Sequence, residues 1–84
     1  MFNLEFVEGW DKFFLKFDKS EKHKIWKKIQ SLKTLKTARH LRHGFPFFVV
    51  EAGQHRICFE EQNNNRRIMF AGNHKQYLQW LRKI

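Results

Sequence analysis

The chain has 84 residues, 42% of them hydrophobic and including ten Phe and three Trp, which suffices for one compact core, leaves no room for a second domain and argues against disorder. Seventeen Lys and Arg against eight Asp and Glu give a formal charge of +9, a balance that favours polyanionic partners such as nucleic acid or an acidic protein. The single cysteine, Cys58, excludes a disulfide framework, and no apolar run approaches the roughly 18 residues that cross a bilayer.

Residues 2–7, FNLEFV, alternate Phe2, Leu4 and Phe6 with Asn3 and Glu5, the period of a half-buried strand. Trp10, Phe13, Phe14 and Phe17 follow at helical spacing and predict a short helix with one aromatic stripe. Asp18 and Ser20 offer N-caps for a second helix, EKHKIWKKIQSLKTL, with Glu21 in its first turn and Ile25, Ile29 and Leu32 as its inner face. Residues 19–43 carry nine Lys and Arg against one acid, Glu21, so the charge is concentrated on this helix and the loop that follows.

Gly44 and Pro46 interrupt the chain before FFVVE, a β-branched and aromatic stretch that reads as a strand. Gly53 allows a tight turn into HRICFEE, and asparagines 63–65 turn the chain again into RRIMFAG. These three segments form an antiparallel meander. Asn73 caps a closing helix, HKQYLQWLRKI, whose apolar stripe is Tyr77, Trp80, Leu81 and Ile84. The expected fold is an α+β two-layer domain over 1–84. In it an N-terminal strand and a helical hairpin pack on a four-stranded antiparallel sheet, the helices share one face, and a short helix ends the chain.

Strand alternation sends Ile57 and Phe59 to one side and Arg56 and Cys58 to the other, the open face on this reading. Arg66, Arg67, His74 and Lys75 are placed there with Arg56, a basic cluster able to hold a phosphodiester backbone. Cys58 reads as packing. The five histidines show no metal-ligand spacing and there is no Gly-rich phosphate loop, so no metal and no cofactor are expected. The lone Cys58 and the acidic residues of MFNLEFVEGW, where a signal peptide would be basic, lead to an expectation of a cytoplasmic protein with no membrane partner.

The order LKTARHLRHG, strand FFVVE, Gly turn, QHRICFE, Asn-rich turn, RRIMFAGNH and KQYLQW resembles the RelE/ParE superfamily of toxins from type II toxin–antitoxin modules over essentially the whole chain. Members open the third strand with an aromatic residue or His, then Arg, then an aliphatic residue, matched by His55, Arg56 and Ile57. They end the fourth with Gly, His and Tyr, matched by Gly72, His74 and Tyr77. The resemblance implies a RelE-like fold and metal-independent cleavage of mRNA in the ribosomal A site, by attack of a ribose 2′-OH on the adjacent phosphate. Arg56 matches the phosphate-stabilising arginine, and a planar five-donor cation suits a crowded phosphorane. His74 matches the carboxy-terminal position where related toxins keep a histidine or basic residue, and an imidazole suits an acid near neutral pH; Tyr77 matches a tyrosine that stacks on a base or assists proton transfer.

Two departures stand out: the lysines that RelE keeps on its second strand are replaced by Phe47, Phe48, Val49 and Val50, and the segment where YoeB-like members carry a glutamate base reads Thr37, Ala38, Arg39 and His40. Glu51, His43 and His55 are the candidates for the unassigned base. Lys27, Lys28, Arg39, Arg42, His43, Arg66, Arg67 and Lys75 are the expected nucleic-acid contacts. The implied partners are a cognate acidic antitoxin in a hetero-oligomer, the ribosome and mRNA. Two other readings stay open: a ParE-like inhibitor of DNA gyrase, and a member that binds RNA or protein without catalysis.

Overall fold

A computed structural model of the protein describes residues 1–35 and 47–83 in full and the backbone of 39–40. Chain order is β1 (Asn3–Phe6), a single 3-10 turn (Phe14–Lys16), α1 (Lys19–Ser31), β2 (Arg39–His40), β3 (Phe47–Ala52), β4 (His55–Gln62), β5 (Asn65–Asn73) and α2 (His74–Lys83). The strands form one sheet in the order β1-β5-β4-β3-β2. The α+β class is therefore as read from the sequence, and the meander β3–β4–β5 is antiparallel throughout. The first of its turns runs through Gly53 at φ 65 and the second through Asn63 at φ 56, a region that glycine and asparagine enter at low cost.

Four details differ from expectation. β1 pairs with β5 in parallel, Asn3 opposite Asn65 and Phe6 opposite Ile68, so the sheet is mixed. A two-residue strand, β2, adds to the edge of β3. The segment expected as the first helix is a series of turns with one 3-10 turn. Its aromatic residues serve two cores: Trp10, Phe14 and Phe17 pack against the α1 side of the sheet, whereas Phe13 packs on the other side with Phe70. A regular helix presents one stripe to one surface and cannot divide its aromatics in this way.

The fourth difference matters most for the site: the helices lie on opposite faces. Ile25 and Ile29 of α1 and Leu32 at its C-cap are fully buried against Val50, Ile57, Phe59 and Ile68. Tyr77 and Trp80 of α2 cover Val49, Cys58 and Phe70 on the reverse. The strands are apolar on both faces because both are covered, which is why FFVV, ICF and IMFA read as unbroken runs. Cutting any of the fully buried Ile or Leu residues to Ala is a loss of about 2–5 kcal/mol.

A β-bulge lies between these faces. Cys58 pairs with Phe70 but Phe59 pairs with Ile68, so Met69 is the extra residue on β5. The bulge resets the alternation. Ile68 packs in the α1-side core and Phe70 in the α2-side core, although only two positions separate them.

Candidate functional site at the end of the sheet

The β3–β4 turn and the β5–α2 junction meet at one end of the sheet and enclose an open cleft of about 540 Å³, lined by Glu21, Glu51, Gly53, Gln54, His55, Arg56, Asn73, His74 and Lys75. Arg56 lies opposite Glu51 on one side and Gly72 on the other. Its guanidinium lies over the Tyr77 ring, 4.8 Å from the centroid, a cation–π contact that holds the side chain flat against α2. The expected open face is thus covered by α2, and Arg56 is half-buried at its margin.

The junction is tightly fixed. The backbone N–H of Asn73 donates to Gln76 Oε1 at 2.9 Å, and that of Gln76 donates to Asn73 Oδ1 at 2.8 Å, a reciprocal cap that satisfies two backbone donors at the start of α2. A Cβ on Gly72 would lie 2.7 Å from Phe70 Cζ and 2.8 Å from Gln76 Oε1. The glycine is required by that closeness, since Phe70 is buried and Gln76 is committed to the cap. His74 and Lys75 are exposed in the first turn of α2, where the positive end of the helix dipole adds to their charge.

Arg56, His74, Lys75 and Glu51 therefore line one cleft. Tyr77 joins them differently: it is 6% exposed, 6.2 Å from the His74 ring and 6.3 Å from the Phe70 ring between centroids. It has little surface to offer a nucleobase, and its place is beneath Arg56. His55 sits on the other face of β4. Its ring is edge-on to Phe17 at 4.7 Å, and its Nε2 lies 3.0 Å from Glu21 Oε2. The sequence marks Glu21 only as a helix-start residue and carries no sign of this pair. No periodicity signals a contact across 34 positions.

The remaining basic residues separate. Arg66, expected beside Arg56 on an open nucleic-acid-binding face, is 1% exposed and lies on the α1 side because of the bulge. Its Nη1 donates to the carbonyls of Leu32 at 2.9 Å and Leu35 at 2.6 Å, and its Nε donates to Glu61 at 3.0 Å. The Phe2 ring lies 3.7 Å and the Phe59 ring 5.1 Å from its guanidinium carbon. It is a structural cation that satisfies carbonyls after the end of α1.

Arg67 shares the Arg56 face but lies at the far end of β4, beside Glu5 at 3.6 Å and Glu60 at 3.8 Å, about 15 Å along the strand. Lys27 and Lys28 border a shallow recess with Lys24 that shares Glu51 and Gly53 with the main cleft, so the basic helix adjoins the site. Arg42 and His43 lie outside the described residues, as does the side chain of Arg39. Cys58 is fully buried, and burial pushes its thiol up to about 12 against the opposing pull of Arg56. No nucleophilic thiolate is available there at neutral pH. Among the described residues no three His, Cys, Asp or Glu side chains converge as a metal site, and no helix is long and apolar enough to cross a membrane.

No family model and no curated protein matches this sequence. Solved structures do match in fold. A double arginine-to-alanine variant of toxin RelE from E. coli, in complex with a peptide of the antitoxin RelB, superposes with a TM-score of 0.71 at 13% identity, covering 99% of this chain and 94% of that one. RelE of the RelB–RelE antitoxin–toxin complex from Methanococcus jannaschii gives 0.67 at 11% identity over 90% of this chain and 96% of that one. A copper-bound single-substitution variant of a toxin from Helicobacter pylori gives 0.64 at 18% identity over 90% and 98%. These structures share this chain's α+β architecture with an open mixed sheet. Within that class, the chain has the RelE toxin fold.

Proposed function

We propose that this protein is the toxin of a type II toxin–antitoxin module and acts as a ribosome-dependent mRNA endoribonuclease. The observation that carries the reading is the convergence of Arg56, His74 and Lys75 in one cleft, Arg56 being the residue that the resemblance matches to a phosphate-stabilising arginine. Cleavage by a ribose 2′-OH builds negative charge on the phosphoryl oxygens and on the departing 5′ oxygen. Arg56, oriented by Tyr77, supplies fixed charge to the first, and His74 supplies a proton to the second. The positive end of α2 and Lys75 assist in holding the anion. Lys24, Lys27 and Lys28 on α1 extend the positive surface toward ribosomal RNA.

An acidic antitoxin would neutralise the same surface and hold the toxin inactive in a hetero-oligomer in the cytoplasm. The test is cleavage of a defined mRNA on programmed ribosomes. The wild type should cut within the A-site codon without added metal, and Arg56→Ala should lose the cut at unchanged melting temperature. Message left intact by the wild type overturns the nuclease reading. A second reading, a member that binds RNA without cutting it, is favoured by β3, whose residues Phe47–Val50 offer no cation to the substrate. It predicts ribosome or RNA binding that weakens with salt and no cleavage.

A further inference from the structure

The nuclease reading leaves the 2′-hydroxyl without a proton acceptor, and the inference here rests on that reading. Glu51 lies directly across the ladder from Arg56, so its carboxylate shares that arginine's face. Glu21 enters the cleft from the opposite side. Its backbone N–H is held by Asp18 Oδ1 at 2.8 Å in the first turn of α1, and its side chain is 40% exposed. His55, itself packed on Phe17, lies with Nε2 3.0 Å from Glu21 Oε2. An Nε2–H donating to Oε2 fixes the carboxylate and leaves the lone pairs of Oε1 for another donor. The cleft therefore holds a carboxylate oriented by a buried imidazole, across the sheet end from Arg56 and His74.

We propose that Glu21, positioned by His55, is the proton acceptor of the cleavage step. A phosphodiester lying across the cleft then has the acceptor on one side and the proton donor on the other, as in-line displacement requires. The Glu21 carboxylate takes the 2′-hydroxyl proton while the O2′–P bond forms. The P–O5′ bond breaks, and the 5′ oxygen takes a proton from the imidazolium of His74. The products are a 2′,3′-cyclic phosphate and a 5′-hydroxyl, with one proton gained by Glu21 and one lost by His74. No electrons are transferred and no co-reactant is consumed.

The experiment is single-turnover cleavage of mRNA on programmed ribosomes by the full chain, with ribosome affinity and melting temperature recorded for each variant. Glu21→Gln keeps an oxygen that accepts from His55 but cannot take up the proton. Its cleavage rate should fall about 100-fold or more, with affinity and melting temperature unchanged. Glu21→Asp should recover part of the rate. His55→Asn, which keeps an N–H donor, should cleave faster than His55→Ala, through the maximal single-turnover rate and not through ribosome affinity. Glu21→Gln cleaving within about threefold of wild type while Arg56→Ala is inactive overturns this assignment and leaves the nuclease reading standing. A wild type that does not cleave overturns both.

Discussion

The two ends of the sheet use the same residue type in opposite ways. At the end bearing the β4–β5 turn, Arg66 spends its donors on two carbonyls and Glu61 between the rings of Phe2 and Phe59, and Arg67 lies beside Glu5 and Glu60. At the other end Arg56 lies on one aromatic ring, and among the described residues no carboxylate is within ion-pair distance of it. A guanidinium committed to carbonyls and a carboxylate holds a fold together, whereas one held by its face keeps its N–H fork for a ligand. The arginines thus divide their labour between the two ends of the sheet.

That division breaks most visibly at Arg66. Arg66→Ala removes the partner of Glu61 and of two carbonyls after α1, and should cost about 3–5 kcal/mol in urea denaturation. Arg56→Ala at the other end should change stability by less than about 1 kcal/mol. Equal losses at both positions would dissolve the distinction. Next is the junction beside Arg56. Gly72→Ala drives a methyl toward Phe70 and Gln76 and should cost about 1–3 kcal/mol, read as a lower midpoint at unchanged slope.

Gln76→Ala removes half of the reciprocal cap and should cost about 1 kcal/mol, with faster amide exchange at Asn73, whose N–H loses its acceptor. Arg67→Ala should be the quietest, within about 0.5 kcal/mol, because it is 54% exposed and its ion pairs are long. Cys58 tests whether the site end is dry beneath Arg56. With its thiol raised to about 12, the folded state keeps the proton longer than the unfolded chain. Its contribution to stability is full below about pH 9, the usual value for the thiol, and is lost as pH rises toward 12. Alkylation at neutral pH should therefore require unfolding.

Much of the frame was legible in the residues. The turns at Gly53 and Asn63, the Asn73 cap and the inner stripe of α1 are local signals with local causes. Pairing direction was not: nothing in FNLEFV says that it runs parallel to a strand 62 positions later, as Asn3 with Asn65 does. The aromatic spacing of Trp10 to Phe17 mimics a helix, but those rings are divided between two cores.

The candidate site was legible where it rests on local signals, as for Arg56 on β4 and His74 at the start of α2. It was not where the bulge at Met69 intervened. Simple alternation cannot see an inserted residue, and so Arg66 was placed with Arg56 when the fold buries it on the other face. The pairing of Glu21 with His55 depends on how α1 crosses the sheet, which no short-range pattern encodes.

The most direct test of the central claim, that the Arg56 end is the working end, is growth after induced expression of wild type and Arg56→Ala at matched soluble protein levels. Arrest with mRNA cut inside codons by the wild type, and normal growth with intact mRNA for Arg56→Ala, is the predicted result. Arrest of equal depth by both proteins would contradict it.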